Sequence, residues 1–300
     1  MTHVSNKHGG ALLAIAAAVM WGVSGACAQF LFQQRHVGID WLVTVRLLVA
    51  GALLLLYAGS RHGRAVLLPW RAPASAASMI IFGIVGMLGV QYTYFAAIRH
   101  SNAATGTMLQ YLGPACIAVW LALVRRTLPS RAECTAILLA FIGTLLLVTH
   151  GEIGQLVITP AALCWGLASA VALAFYTLQP VRLLQDNDAA TVAGWGMLIG
   201  GLACAMFSQP WRLSGDWDAG AALAAGFVIL FGTLLAFLFY LSAVGRIGPQ
   251  KTSLLACAEP LAATVAALAW LGIPFGVADA LGSACILATL FVLSGQSAKA

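Results

Sequence analysis

Apolar residues of the AVILMFWYC set make up 61% of the 300-residue chain and charged ones only 8%, against roughly half and a quarter in a soluble domain. At about 20 apolar residues per bilayer crossing, this excludes a water-soluble fold, leaves room for about ten crossings and leaves none for a separate soluble domain. The net charge of +6 is spread among the connections, which reads as contact with anionic headgroups and not as a nucleic-acid footprint.

Ten apolar segments follow one another. The first, 10–32, is too long for a signal-peptide core and reads as an uncleaved helix carrying Trp21 and Gln29. The second, 41–58, holds Arg46 near its outer end, where it reads as an anchor that snorkels or pairs with Asp40. Gln91, Tyr94 and three evenly spaced glycines, Gly83, Gly86 and Gly89, lie on the third, 78–98, and the glycines predict close helix packing. The fourth, 103–124, carries Thr107, Gln110, Tyr111 and Pro114; the fifth is 132–149. Trp165, Tyr176 and Gln179 belong to the sixth, 157–180, which the seventh, 190–208, follows. The eighth, 219–244, contains Tyr240, the ninth, 250–271, contains Ser253, Glu259 and Pro260, and the tenth is 277–295.

Basic residues sort by connection. Lys7, Arg61, Arg64, Arg71, Arg125, Arg126, Arg131, Arg182, Arg246, Lys251 and Lys299 fall on one side, and only Arg35, Arg99 and Arg212 on the other. Because cytoplasmic connections are rich in Lys and Arg, both termini are predicted to be cytoplasmic.

The chain also repeats itself. A shift of 146 residues lays Gly86 on Gly232, Tyr94 on Tyr240, Ala97 on Ala243 and Pro114 on Pro260, and a shift of 144 lays Trp21-Gly22 on Trp165-Gly166. Two halves, 1–150 and 151–300, of five helices each have an odd number of crossings, so the second half must be inverted. The expected fold is therefore an all-α integral membrane protein of ten transmembrane helices built as two inverted five-helix repeats.

The Trp-Gly pair in the first helix of each half, the Val45-Arg46-Leu47-Leu48-Val49-Ala50 stretch and the Glu259-Pro260 pair resemble the EamA-type drug/metabolite transporter superfamily over essentially the whole chain. The likeness is greatest to its members that export aromatic amino acids. It implies a multi-pass transporter of a bacterial inner membrane, working without cofactor or metal, as a monomer, on a small-molecule substrate such as an amino acid. Two departures stand out: Gly113-Pro114 occupies the place of Glu259-Pro260 in the first half, and the seventh helix has no counterpart of Arg46.

Pro114 and Pro260 lie near the middle of their segments, where proline removes a helical hydrogen bond and frees the carbonyl four residues earlier, here Gln110 and Ala256. Such irregularity is tolerated where it is buried in protein or lines a wet cavity, so these residues mark either a packing kink or a helix break at a site. Helical steps back from each proline reach Tyr111, Gln110 and Thr107 on one helix and Cys257, Ala256 and Ser253 on the other, a partly polar stripe. Glu259, an acidic residue well inside a helix, reads as a proton carrier, an amine ligand or a cap on the break. With Trp21, Gln29, Gln91, Tyr94, Trp165, Tyr176, Gln179 and Tyr240, these residues form the candidate substrate-binding set.

The seven cysteines fall in apolar stretches without a C-x-x-C pair and read as packing residues, and the six histidines fall in connections. The Gly22-Val23-Ser24-Gly25 run matches a rhomboid-protease nucleophile pattern, but no histidine base lies in a predicted helix, so no catalytic residue is assigned. Several cations at depth, as a sugar phosphate would need, are also missing. A neutral or zwitterionic substrate with a bulky or aromatic side chain fits better, with multidrug or cationic-compound efflux as the alternative.

Overall fold

The computed structural model describes residues 2–126, 131–149, 158–247, 252, 255–256 and 258–297, and among them all regular structure is helical. Each predicted apolar segment carries helix. The helices are α1 (Thr2–Gln33), α2 (Ile39–His62), α3 (Pro73–His100), α4 in two pieces (Ala103–Gln110 and Gly113–Arg125) and α5 (Arg131–Thr149). They continue as α6 (Pro160–Leu178), α7 (Ala189–Ser208), α8 (Ala219–Ile229 running on through Leu230–Leu235 and Ala236–Ile247), α9 (Ala258–Leu271) and α10 (Val277–Ser297). Six of them, α1, α2, α3, α6, α7 and α8, are long and apolar enough to cross a bilayer.

Several helices outrun their apolar segments. α1 begins at Thr2 and α2 ends at His62, so His3, His8, His62 and His100 sit on terminal helical turns and not in connections as expected. Polar residues cap the helix starts, where orphan backbone N–H groups need acceptors: Asn102 Oδ1 accepts from Thr105, Thr159 Oγ1 from Ala162 and Asp218 Oδ1 from Ala221. The Asp218 carboxyl, in a connection, is held below the usual carboxylate range first by the Ala221 N–H and then by Arg35, 2.9 Å away.

The pairing of helices sets the architecture. α2 packs on α7 and α5 on α10; α1 packs on α8 and α9, while α6 packs on α3 and α4. Exchanging each helix of the first five with its counterpart five places later maps this set of pairs onto itself. Small residues permit the close contacts: a Cβ on Gly51 of α2 would stand 2.7 Å from the Leu198 backbone N of α7, and one on Gly143 of α5 would stand 2.7 Å from the Gly282 carbonyl of α10.

The irregularities fall in register too. α3 widens into a π-helical stretch at Phe82–Leu88 and α8 into another at Leu230–Leu235, and these contain the aligned Gly86 and Gly232. α4 breaks at Tyr111 and Leu112, and the chain turns at Ala256 before α9 begins at Ala258. Both breaks come just before the prolines. Pro114 is the second residue of its helical piece and Pro260 the third of α9, positions where the missing N–H has no helical partner to lose. The prolines therefore begin new helices instead of kinking continuous ones.

Candidate functional site

The two breaks meet through Tyr111. Its hydroxyl, on the α4 break, lies 2.9 Å from the Ala256 carbonyl and 3.1 Å from Glu259 Oε2. The Ala256 carbonyl also accepts from the Glu259 N–H at 2.9 Å, closing a tight turn. Ala256 can receive Tyr111 because Pro260, four residues on, has no N–H to offer it. A phenol has one proton, so Tyr111 donates to the carbonyl or to the carboxylate. Both contacts are hydrogen bonds at once when Glu259 carries its own proton and donates it to the phenol oxygen.

Around this link stand several predicted residues. Trp21 of α1 packs against Phe237 and Tyr240 of α8, with ring centroids 5.4 and 5.3 Å apart. Tyr94 of α3 is buried and pairs with Thr107 of α4, oxygen to oxygen 2.9 Å, within electrostatic range of Glu259. Gln91, one turn earlier on the same face, is buried as well. Gly22 explains why Trp21 is followed by glycine: a Cβ there would stand 2.6 Å from both the Glu259 carbonyl and the Ala263 N. The repeated Trp-Gly behaves alike, since a Cβ on Gly166 would overlap Leu109 just before the α4 break.

Other predicted residues lie apart. Thr107, Gln110 and Tyr111 reach three different helices, and Gln110 is committed to Ser169 of α6 at 2.9 Å, so the stripe does not line one wall. Gln29 accepts from the Ala103 N–H at 2.8 Å and serves the start of α4. Trp165 packs on Tyr92 and Tyr176 on Phe82, along the α3–α6 seam, although Tyr176 remains within electrostatic range of Tyr240. Gln179 donates to Ser78 Oγ at 2.9 Å and borders an apolar groove of about 1050 Å³ between α4, α5 and α6. Ser253 and Cys257 lie outside the described residues.

Arg46 is not an interface anchor. It is 4% exposed, donates from Nε to Thr233 Oγ1 at 3.0 Å, and stacks its guanidinium 4.5 Å from the Phe95 ring centroid; no ion pair with Asp40 forms. The Thr233 hydroxyl gives its proton to the Val228 carbonyl five residues back in the π-helical stretch, leaving its lone pair for Arg46. Thr233, Phe95 and Ser169 were not legible as partners, because each is an ordinary residue in an apolar run. The expected glycine contacts hold in part: Gly83 meets Ile199 of α7, while Gly89 faces open space. Cys27 and Cys204 are buried as expected of packing residues, whereas Cys134 and Cys164 are exposed.

Comparison with known proteins adds four findings. The profile of the EamA-like transporter family matches residues 8–149 and again 160–295. The chain is 41% identical over 290 residues to the "Uncharacterized inner membrane transporter YicL" of Salmonella typhimurium, covering 97% of this chain and 96% of that one. The "Uncharacterized transporter YyaM" of Bacillus subtilis is 25% identical over 235 residues, 74% of each chain. A solved crystal structure with a TM-score of 0.65 and 20% identity spans 97% of this chain and 98% of its own, which marks a shared fold.

Proposed function

Since the chain belongs to the EamA-like transporter family, we propose that it is a secondary transporter of bulky neutral or zwitterionic amino acids, exporting them by alternating access between two inverted halves. It is a multi-pass inner-membrane protein. The Tyr111 bridge carries this reading: the broken helix of one half holds the broken helix of the other by a carbonyl that Pro260 leaves without its usual helical partner. In transporters with broken helices, substrate groups bind at such breaks and one bundle rocks against the other. The self-mapping helix pairs and the aligned π-helical stretches support the inverted arrangement.

The surroundings of the bridge support this substrate class. Trp21, Tyr94 and Tyr240 offer aromatic surface for a planar apolar side chain, and Glu259 offers a carboxylate for an ammonium group. Arg46 is engaged by Thr233 and Phe95, and a sugar phosphate would need several such cations. Purified protein should therefore bind labelled tryptophan in competition with phenylalanine, and hexose phosphates should leave that binding unchanged. Displacement by hexose phosphate ahead of phenylalanine would overturn the assignment.

Both termini face the cytoplasm in this reading. A periplasmic phosphatase fused after Ala300 is expected to be inactive, and activity there would refute either the orientation or the ten crossings.

A further inference from the structure

At the end of the bundle where α1 terminates, Gln33 donates to the Ser101 carbonyl at 2.7 Å, and beside this contact lies a cavity of about 340 Å³. It sits between the start of α4, the second half of α9 and the first turns of α10. Thr264, on its wall, is five residues beyond Glu259, about 7 Å along α9 at the helical rise, so the cavity is separate from the Tyr111–Glu259 link.

Two hydroxyls on its wall behave unusually. A helical threonine ordinarily returns its proton to the carbonyl four residues back, as Thr44, Thr93, Thr144 and Thr177 do here at 2.7–2.8 Å. Thr264 does not. Its Oγ1 is buried without a protein partner, and so is Ser283 Oγ on α10; the two residues are 8% and 6% exposed. Buried polar atoms go unsatisfied rarely, and two on one cavity point to a ligand that completes them.

The charge and shape of the wall specify that ligand. Asp279, 4% exposed and one turn before Ser283, is the carboxylate, and the described lining residues include no Lys or Arg, only the exposed His100. The rest is largely apolar, with Met108, Leu268 and Phe275 among it. The volume exceeds what a bare ion needs and sits at the small end of organic-ligand sites.

We propose that this cavity is a second binding site, for the ammonium group and apolar body of a small amine, with Asp279, Thr264 and Ser283 as its polar contacts. Asp279 already accepts from the Gly276 N–H at 2.8 Å, which fixes its side chain at the start of α10 and which an asparagine can reproduce.

The test is binding of 2-phenylethylamine to full-length protein in lipid nanodiscs, in a Glu259→Gln background so that the central carboxylate does not contribute. Asp279→Asn should weaken binding by about tenfold or more, as loss of a charge-assisted contact does. Thr264→Val and Ser283→Ala should each weaken it about threefold, as loss of a neutral hydrogen bond does, while leaving the unliganded protein as stable as its parent or more so. 3-Phenylpropionate, equal in bulk and opposite in charge, should not compete. Absence of binding, unchanged affinity in a folded Asp279→Asn protein, unchanged affinity in the hydroxyl variants, or equal competition by the acid would each overturn the proposal.

Discussion

Glu259→Gln is expected to retain substrate exchange, weakened by loss of the ammonium contact, and to lose any response to a pH gradient. The reason is the proton inventory at the bridge. With Glu259 protonated, Tyr111 keeps its own proton on the Ala256 carbonyl, and the two broken helices stay joined. With Glu259 ionised, the carboxylate competes for that proton and the carbonyl loses Tyr111, keeping only the Glu259 N–H. A glutamine amide donates to the phenol as the protonated acid does, so the variant holds the joined arrangement at every pH. Tyr111→Phe removes the bridge itself and should lower exchange by about tenfold or more, as expected for a part-buried hydrogen bond to a charged or carbonyl partner. Pro260→Ala acts on the same carbonyl from the other side, because the new N–H can pair with Ala256 in place of Tyr111. It should leave folded protein near normal and reduce exchange several-fold. Exchange by reconstituted protein, with and without a pH gradient, checks all three; a Glu259→Gln protein that follows the gradient as its parent does would remove Glu259 from the coupling.

Gly22→Leu is expected to prevent stable folding. The contact is with backbone: even a Cβ at this position would lie 2.6 Å from the Glu259 carbonyl and 2.6 Å from the Ala263 N, and neither can rotate aside. α1 and α9 would have to separate at the level of the α9 turn, breaking a close helix pair of the kind that small residues make possible in membranes. Overpacking ordinarily costs about 1–3 kcal/mol, and a larger loss follows where backbone blocks backbone. Gly89→Leu is the control, since nothing lies within 4 Å of a Cβ there. Thermal unfolding monitored by size-exclusion chromatography should show Gly89→Leu close to its parent and Gly22→Leu aggregated or strongly destabilised. Equal behaviour of the two variants would contradict the close approach.

Much of the fold was legible because apolar length and polar caps are local properties. The ten runs, the capping residues Asn102, Thr159 and Asp218, and the paired breaks near Pro114 and Pro260 all lie in short stretches of chain. What the prolines do was less legible: composition places them inside apolar runs, and only the backbone shows that the turn precedes them. Neighbours across helices were the hardest to read. α1, α7 and α8 are apolar around much of their circumference, so periodicity does not say which face meets which helix. Sequence alone accordingly puts Arg46 at an interface, whereas Thr233 and Phe95 receive it in the core. Trp165, Tyr176 and Gln179 share with Trp21 an aromatic or polar character at similar depth, yet they pack along the α3–α6 seam. The π-helical stretch in α8, where Thr233 reaches a carbonyl five residues back, has no counterpart in sequence periodicity.

The reading of this chain as an amino-acid transporter is tested most directly by counterflow. Purified protein is reconstituted into liposomes loaded with unlabelled phenylalanine and diluted into trace labelled phenylalanine. A transient accumulation of label inside is expected, abolished by external tryptophan, unaffected by hexose phosphate and strongly reduced in Tyr111→Phe. No accumulation with any bulky neutral amino acid, together with counterflow of a hexose phosphate, would contradict it.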